Sequence, residues 1–600
     1  MCGITAYVGD GDVTERLLSG LENLEYRGYD SAGIALETDD ELLVRKREGE
    51  LPQLKAVLGG VSGGTVGIGH TRWSTHGEPS DRNAHPHQDC TGRVAVVHNG
   101  VIENYHELRE ELSDEHRFTS ETDTEVVPHL IETELDAGRG PEAAFHRAIE
   151  RLEGSFAIAT VIEGTEQVFA TRTGSPLVLG LDGAEAFLAS DVPAFLEYTD
   201  EVVYLQDGDV VIVDEDGWEV TDRDGESPSR GRTTVEWTAE DAERQGYDHY
   251  MLKEINEQPD AIDRTLGGRL EGDCGVSLAD LPAERFEEVS EIQFVGCGTS
   301  YHAALYAQCL FHQCDVPTTV YRAGEYATSP APVTEDTLTV GVTQSGETAD
   351  TLQSLRTAKA AGAQTLAVTN VIGSTAAREC DDALFIRAGP EIGVAATKTF
   401  SSQVVTLALL ARRFASLNSL SVAFEGLPEA LGTLPGKLRT VIEDDSVSGL
   451  VSQYAAANSY FFIGRGVGWP VALEGALKFK EITYEHAEGF AAGELKHGPL
   501  ALVTENTPVF AVFTGNHTGK TLQNVEEIQA RGAPVIGITS ATADRVQAQV
   551  DSALTFPEAH PMLAGVLANA YLQRISYRMA HLMDRPIDKP RNLAKSVTVE

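Results

Sequence analysis

The second residue of the chain is a cysteine. Once Met1 is removed, Cys2 carries both a thiol and a free α-amino group, whose reference pKa of ~7.7–8.0 lies near working pH. That amine can take the thiol proton without a histidine partner, as when a threonine nucleophile is paired with its own N-terminal amine. Gly3 leaves the sulfur approachable. Position alone is weak support, because a cysteine can stand second by accident. Further motifs reverse that judgement: Tyr26-Arg27-Gly28-Tyr29-Asp30-Ser31-Ala32-Gly33, a turn bearing one cation; His70-Thr71-Arg72-Trp73-Ser74-Thr75-His76-Gly77, an arginine beside an aromatic; Val97-His98-Asn99-Gly100, the end of an apolar strand; and Ser120-Glu121-Thr122-Asp123-Thr124-Glu125, with capping chemistry for a helix start. An amidase acting on glutamine needs such parts. Arginine clamps an α-carboxylate bidentately, a carboxylate holds the α-ammonium, and a side-chain amide with a backbone N–H stabilises a tetrahedral oxyanion. Asn99-Gly100 alone would read as a hairpin turn, so the ordered set carries the weight. His70, His76, His85 and His87 are irregularly spaced, without a helix-borne H-x-x-x-H pair or a partnering cysteine, and no metal is expected there.

The C-terminal half holds a different chemistry. Val295-Gly296-Cys297-Gly298-Thr299-Ser300 and Val342-Thr343-Gln344-Ser345-Gly346-Glu347-Thr348 each follow an apolar strand and precede a helix. Such hydroxyl-rich turns offer N–H groups and hydroxyls to an anion at a helix N-terminus. A dinucleotide fingerprint lacks its third glycine, since residue 301 is Tyr, and no Gly-Lys-Ser/Thr follows to make a nucleotide-triphosphate loop. Lys478 and Glu481, three apart, share one helix face; the bland reading is a surface ion pair of at most ~1 kcal/mol. Only twelve lysines occur in the chain, yet Lys478 and Lys480 fall in Leu473-Glu474-Gly475-Ala476-Leu477-Lys478-Phe479-Lys480-Glu481, Lys496 in Gly493-Glu494-Leu495-Lys496-His497-Gly498-Pro499-Leu500, and Lys595 in the last eleven residues, a C-terminal motif set that asks for a reason.

These residues need a framework. Up to about residue 215 the pattern is strands with two helices: Val94–Val97 and Phe156–Ile162 read as strands, Tyr105–Leu112 and Glu125–Glu134 as helices. Residues 216–246 are acidic and polar, with Gly225, Pro228 and Gly231, and read as a linker. From about 247 the pattern becomes apolar strand, Gly-rich turn, helix, which implies parallel α/β architecture. Phe294-Val295-Gly296-Cys297-Gly298 recurs as Phe462-Ile463-Gly464-Arg465-Gly466 at an offset of 168 residues, and Ala304-Leu305 recurs as Ala472-Leu473 at the same offset. Two tandem subdomains are expected, over 247–435 and 436–600.

Six hundred residues exceed one hydrophobic core. No apolar run approaches the ~18 residues a membrane span needs, and the first residues lack the build of a signal peptide, so a cytoplasmic protein is expected. Seven cysteines, with no C-x-x-C pair, make a disulfide framework or a structural zinc site improbable. The formal net charge of −46 excludes nucleic acid and anionic membranes as partners. A lysine-poor, acid-rich surface fits a high-salt cytoplasm, where screening lengths shrink to a few ångströms.

The first domain, 1–215, resembles the glutaminase domain of class II glutamine amidotransferases, an α+β N-terminal-nucleophile sandwich. The resemblance implies Cys2 as nucleophile, Asn99 and Gly100 as oxyanion hole, Arg72 on the glutamine carboxylate and Asp123 on its ammonium. It also implies Trp73 as a gate for ammonia, with His76 and Arg27 in support. The rest resembles two tandem α/β sugar isomerase (SIS) domains, and the ending Pro590-Arg591-Asn592-Leu593-Ala594-Lys595-Ser596-Val597-Thr598-Val599-Glu600 matches a specific family signature. Motif order over essentially the whole chain is similar to the glutamine–fructose-6-phosphate aminotransferase family. That likeness implies a phosphate site at Ser300, Gln344, Ser345 and Thr348, with Thr299 and Val394 nearby; a Schiff base at Lys595, with Ala594 at the sugar; Glu481 moving a proton between C1 and C2; His497 assisting ring opening; and Lys478 positioning the sugar. Thr343 stands where serine is common in the family; the hydroxyl survives. The implied substrates are L-glutamine and fructose 6-phosphate, the assembly a homodimer with His497 donated across the interface, and neither cofactor nor metal is required.

Other readings are an ammonia-dependent sugar-phosphate isomerase or deaminase with a vestigial first domain, a phosphosugar-responsive binding module, and a glutaminase joined to another acceptor. Cys2 and Arg72 argue against the first, Glu481 and Lys595 against the second. The tandem repeat and absent nucleotide loop argue against the third.

Overall fold

The computed structural model describes residues 2–598 apart from 39–40, 61–62, 75, 223–224, 236–237, 239–240, 242, 272–274, 280, 282–285, 287–288, 315 and 418–424. The chain divides into two compact units, Met1–Glu243 with Ala594–Glu600, and Arg244–Leu593.

The first unit is built on fourteen strands among the described residues: β1 (Gly3–Val8), β2 (Ser31–Glu37), β3 (Leu42–Glu48), β4 (Val66–Arg72), β5 (His87–Gln88), β6 (Val94–Ile102), β7 (Gly154–Ile162), β8 (Val168–Thr173), β9 (Val178–Asp182), β10 (Glu185–Ala189), β11 (Glu201–Tyr204), β12 (Val210–Asp214), β13 (Gly217–Thr221) and β14 (Thr233–Thr234). They form two antiparallel sheets, ordered β14-β11-β9-β10-β1-β4-β2-β3 and β13-β12-β8-β7-β6-β5. Alternation along β6 shows how they stack. Ala95 and Val97 join a core with Ile4, Ala6 and Ile68 of the first sheet, while Val94 and Val96 pack with Leu108, Leu130 and Phe145 of the helices Tyr105–Leu112, Val126–Asp136 and Pro141–Ile149. A strand buried on both faces reads as a continuous apolar run, as Val94–Val97 does. The stretch expected as a linker, 216–246, instead supplies β13 and β14 to the two sheets. Its polar composition matches edge strands half in water, which apolar runs do not reveal.

The second unit holds two parallel five-stranded sheets. Strands β15 (Glu291–Gly296), β16 (Thr318–Arg322), β17 (Thr337–Val342), β18 (Gln364–Thr369) and β19 (Asp382–Phe385) lie in the order β16-β15-β17-β18-β19. Strands β20 (Ser459–Gly464), β21 (His486–Ala491), β22 (Val509–Val512), β23 (Val535–Ser540) and β24 (Ser552–Phe556) lie in the order β21-β20-β22-β23-β24. The topology is the same, and the first strands of the two repeats, β15 and β20, stand 168 residues apart. One apolar core runs through both repeats, joining Phe294, Tyr306 and Phe400 with Phe462, Phe479 and Leu567. The tail expected with the second repeat, Ala594–Glu600, groups with the first unit; its described residues, 594–598, form neither strand nor helix and so carry no local signal of the surface that receives them.

No helix among the described residues is long and apolar enough to cross a membrane.

Candidate active sites

Strand register assembles the first site. β1 runs antiparallel to β4 with Gly3 opposite Thr71, so Cys2 arrives beside the end of β4 and the Arg72-Trp73 pair that follows. The Cys2 Sγ accepts from the Trp73 N–H at 3.2 Å and lies 3.4 Å from the Trp73 carbonyl. Burial pushes the Cys2 thiol up, so the sulfur rests as a thiol until a base takes its proton. Gly28 permits this packing: a β-carbon there would meet the Arg72 carbonyl carbon at 2.6 Å.

From the facing sheet, β6 presents Asn99 and Gly100. The Asn99 amide donates to the Cys2 carbonyl at 2.9 Å. Its orientation follows from its neighbour. His70 Nε2 faces two oxygens, the His98 carbonyl at 3.0 Å and Asn99 Oδ1 at 3.1 Å. The carbonyl can only accept, so Nε2 carries the hydrogen, and Oδ1 is held away from Cys2 while the NH2 faces it. Gly100 has φ +116°, and a β-carbon would strike the Ser155 carbonyl oxygen at 2.0 Å, so only glycine fits.

Arg72 is 3% exposed. Its Nη2 donates to the carbonyls of His76 and Gly77, but its Nη1 is buried with no hydrogen-bond partner. An orphaned guanidinium nitrogen is costly unless an anion comes to it. Asp123, also buried, accepts from the Ile102 N–H at 2.9 Å, which pins it to the end of β6. The loop carrying it is held by Glu125, whose carboxylate accepts from the backbone N–H groups of Thr119 and Ser120, each at 2.7 Å. The capping expected at Ser120 is thus reversed: the helix begins at Val126, and Glu125 reaches back to brace the loop. Trp73 packs edge-on to Tyr29 and His76 edge-on to Tyr105. Arg27 pairs with Asp191 and props the turn beneath the site.

Beneath Asn99 lies a cluster the sequence left as scattered histidines. His85 Nδ1 lies 3.1 Å from His70 Nδ1, and the Thr124 hydroxyl lies 2.9 Å from both His85 Nε2 and His98 Nδ1. His87 meets Thr122 at 3.0 Å. Burial drives all four imidazoles to the neutral form, His70 down to about 3. His76 stands apart from this cluster, at Tyr105.

In the second unit, β15 and β17 are parallel neighbours with Val295 opposite Gly341, so the turns after them emerge side by side. Ser300 sits in the first turn of the helix Gly298–Phe311, its hydroxyl accepting from Gln403 at 2.9 Å. In the other turn, Thr343 Oγ1 accepts from the Gly346 N–H at 3.1 Å and Ser345 Oγ from the Glu347 N–H at 3.1 Å. The Gln344 carbonyl accepts from the Asn370 N–H at 3.1 Å, and Thr348 is the N-cap of the helix Ala349–Ala360. The loop bearing Val394 is tied down through the Val394 N–H to the Asp588 carbonyl at 3.2 Å and by Glu391, which accepts from the N–H groups of Thr397 and Thr399.

The helix Gly468–Thr483 brings Glu474, Lys478 and Glu481 onto one face. Lys478 Nζ is 2.6 Å from Glu481 and 3.7 Å from Glu474. This is no surface pair, since Lys478 is 1% exposed and Glu474 is fully buried. Burial alone would discharge Lys478, but Glu481 and Glu474 hold its ammonium above the ordinary lysine value. Burial likewise opposes the Glu474 charge, yet Lys478, His302 and Thr299 hold its carboxyl below the usual range. Glu474 accepts from Thr299 at 2.9 Å and meets His302 Nδ1 at 2.8 Å, joining the two repeats at the first turn of the helix after β15. Glu474 and His302 were missed by the sequence reading; the one available signal was Glu474 four residues before Lys478. Of the other lysines in the motif set, Lys480 is exposed and Lys496 pairs with Glu527 at the surface. His497 is exposed at the end of the 3-10 turn Ala492–His497, and Lys595, with Ala594 beside it, is half-buried in the tail grouped with the first unit.

A family model described as a glutamine amidotransferase domain matches residues 70–197, and one described as a SIS domain matches 286–413 and again 453–583. A glutamine–fructose-6-phosphate aminotransferase (isomerizing) of Halobacterium salinarum is 52% identical over 100% of both chains. Proteins of the same name from Thermus thermophilus and Methanothermobacter thermautotrophicus are each 46% identical, again over 100% of both chains. Among solved structures, the C-terminal domain of glucosamine-fructose-6-phosphate aminotransferase from Francisella tularensis is 37% identical, with a TM-score of 0.56, covering 58% of this chain and 100% of that one.

Proposed function

This chain belongs to the glutamine–fructose-6-phosphate aminotransferase (isomerizing) family, and we propose that it converts D-fructose 6-phosphate and L-glutamine to D-glucosamine 6-phosphate and L-glutamate, the entry step of amino-sugar synthesis. After removal of Met1, the Cys2 amine takes the thiol proton and the thiolate attacks the glutamine carboxamide. Asn99 turns its NH2, with the Gly100 N–H, to the oxyanion. Arg72 Nη1 takes the substrate α-carboxylate and Asp123 its ammonium. Ammonia leaves past Trp73, with His76 and Arg27 in supporting roles, and water releases glutamate from the thioester. Ammonia must travel un-ionised and shielded from water, which explains two chemistries in one chain.

In the sugar reaction Ser300, Gln344, Ser345 and Thr348 receive the phosphate, with Thr299 and Val394 at its edge. Lys595, beside Ala594, forms an imine with the ketose C2 as water leaves, and ammonia then adds at C2 and expels the lysine amine, leaving a free ketimine for the proton shift. Glu481 removes the C1 proton and returns it at C2, and Lys478, kept cationic by its two carboxylates, orients the sugar hydroxyls. His497 assists ring opening from a second copy of the chain, in a homodimer working in the cytoplasm. The observation that supports this reading most directly is the buried Arg72 Nη1 left unpartnered beside Cys2, in a chain that also holds the Glu474–Lys478–Glu481 row.

The test is a coupled assay at high salt. Glutamate and glucosamine 6-phosphate are expected in equal amounts, with the glutamine-driven reaction abolished by Cys2→Ala and synthesis partly restored by ammonium. Glutamate without amino sugar would refute the acceptor. Neither product, with Met1 shown absent by mass spectrometry, would refute the enzyme reading.

A further inference from the structure

On the far side of the loop that carries Asp123, three segments of the first unit converge. Cys90 comes from the loop between β5 and β6, His116 from the segment after the helix Tyr105–Leu112, and His129 with Glu132 from the helix Val126–Asp136, where they stand three apart on one face. One ligand atom from each lies within 4.8 Å of all the others. The Cys90 Sγ is 3.8 Å from both His116 Nδ1 and His129 Nδ1, and Glu132 Oε2 is 2.8 Å and 3.2 Å from the same two nitrogens. Zinc–sulfur bonds of about 2.3 Å and zinc–nitrogen bonds of about 2.0 Å place the ligands of a tetrahedral ion ~3.3–3.6 Å apart, and these four separations, from 2.8 to 3.8 Å, bracket that range.

The hydrogen-bond directions sharpen the point. The Thr133 hydroxyl donates to the His129 carbonyl at 3.0 Å, so toward His116 Nε2, 2.9 Å away, it accepts. His116 Nε2 therefore carries a hydrogen, and in the neutral ring Nδ1 is a bare lone pair. That lone pair faces a carboxylate oxygen at 2.8 Å, a repulsive contact unless a positive charge lies between them. A second-sphere acceptor that takes the other ring N–H and so fixes the tautomer is the usual support of a ligating histidine, and here the Thr133 hydroxyl fills that place. The Arg117 N–H donates to the Cys90 sulfur at 3.3 Å, a contact that would support the thiolate formed when a cation displaces the thiol proton. His129, with no hydrogen-bond partner at Nε2, packs edge-on against Phe118. One thiolate, one carboxylate and two neutral imidazoles sum to a charge of about −2, which a divalent cation cancels. Cys90 is exposed and gives the ion its way in.

We propose that Cys90, His116, His129 and Glu132 bind one divalent, thiolate-preferring cation of the zinc type, as a four-ligand structural site. A site closed by four protein ligands leaves no position for substrate. Its role is to clamp the helix Val126–Asp136 to the β5–β6 loop, behind the loop that presents Asp123. No metal is expected from the sequence, since Cys90, His116, His129 and Glu132 form neither a C-x-x-C nor an H-x-x-x-H pattern.

The test uses full-length protein stripped with chelator, loaded with Zn2+ or Co2+ and dialysed. The expected result is about one metal per chain, a cobalt spectrum with tetrahedral d–d bands and a sulfur-to-cobalt charge-transfer band, and a higher Tm with Zn2+. The charge-transfer band should persist in Cys2→Ala, which excludes the catalytic thiol, and vanish in Cys90→Ser. Wild-type protein that retains no metal, shows no cobalt band and gains no Tm would overturn the proposal and leave an imidazolium–carboxylate pair. Equal metal retention by a Cys90→Ser/His129→Asn variant would overturn it as well. The wild-type cobalt spectrum decides the question even if that variant fails to fold.

Discussion

In the proposed amidase chemistry, much hangs on one hydrogen-bond direction at Asn99. His70, a neutral donor at Nε2, holds the amide oxygen, so the NH2 group is turned to Cys2 before any substrate arrives. Such preorganised donors act on the transition state and cost no reorganisation during reaction. Asn99→Ala should therefore lower kcat for glutamine hydrolysis by ~10²–10³-fold with little change in KM, while ammonia-driven synthesis is unaffected. Steady-state kinetics with glutamine and with ammonium check this, and an unchanged kcat would refute the role. Asn99 was legible as a candidate because a side-chain amide beside a glycine at a strand end is a recognisable pair. The hand that holds it was not, because His70 lies 29 residues away and meets it only once β4 and β6 face each other.

Where β4, β5 and β6 meet the loop before the helix Val126–Asp136, four imidazoles are packed neutral. Their pKa values lie below the ordinary histidine value of about 6.5. Below that pH the unfolded chain gains protons that the folded chain refuses, so stability falls as the solution is acidified from about 6.5 toward 3, and is fully present above 6.5. Each histidine contributes a slope of up to about 1.4 kcal/mol per pH unit between its folded and unfolded values. Thermal scans of the glutaminase activity between pH 7.5 and 5 should show the loss setting in near neutrality, above the carboxylate range. A flat profile down to pH 5 would refute it. The individual elements here were readable: the helix Tyr105–Leu112 and the strands around Val94–Val97 and Phe156–Ile162 formed where periodicity put them. Their use was not, since the Glu125 brace and the shared Thr124 hydroxyl are contacts between elements.

Across the whole chain, a formal charge of −46 meets sparse lysine. The few lysines that are buried are paired: Lys478 with Glu481 and Glu474, and Lys398 and Lys253 with Glu257. The remaining negative charge repels itself, and salt limits the range of that repulsion. Lowering potassium chloride from ~1 M to ~0.1 M extends the screening length from about 3 Å to about 10 Å. Tm should fall by several degrees and recover when salt is restored. A Tm independent of salt would refute the reading of this surface as an adaptation to brine.

The repeat of 168 residues, the Cys2-to-Asp123 motif order and the parallel α/β pattern of the second half were all legible in the linear chain, because glycine turns, apolar runs and helical spacing are local quantities. The pairing of Thr299 and His302 with Glu474, the unpartnered nitrogen of Arg72, the burial of a lysine that spacing alone placed at the surface, and the gathering of Cys90, His116, His129 and Glu132 were not. The edge strands β13 and β14 and the company kept by Ala594–Glu600 belong with them. Each depends on strand register or on which faces pack together, and those are set by contacts between residues far apart in sequence, whose separation leaves no periodic trace.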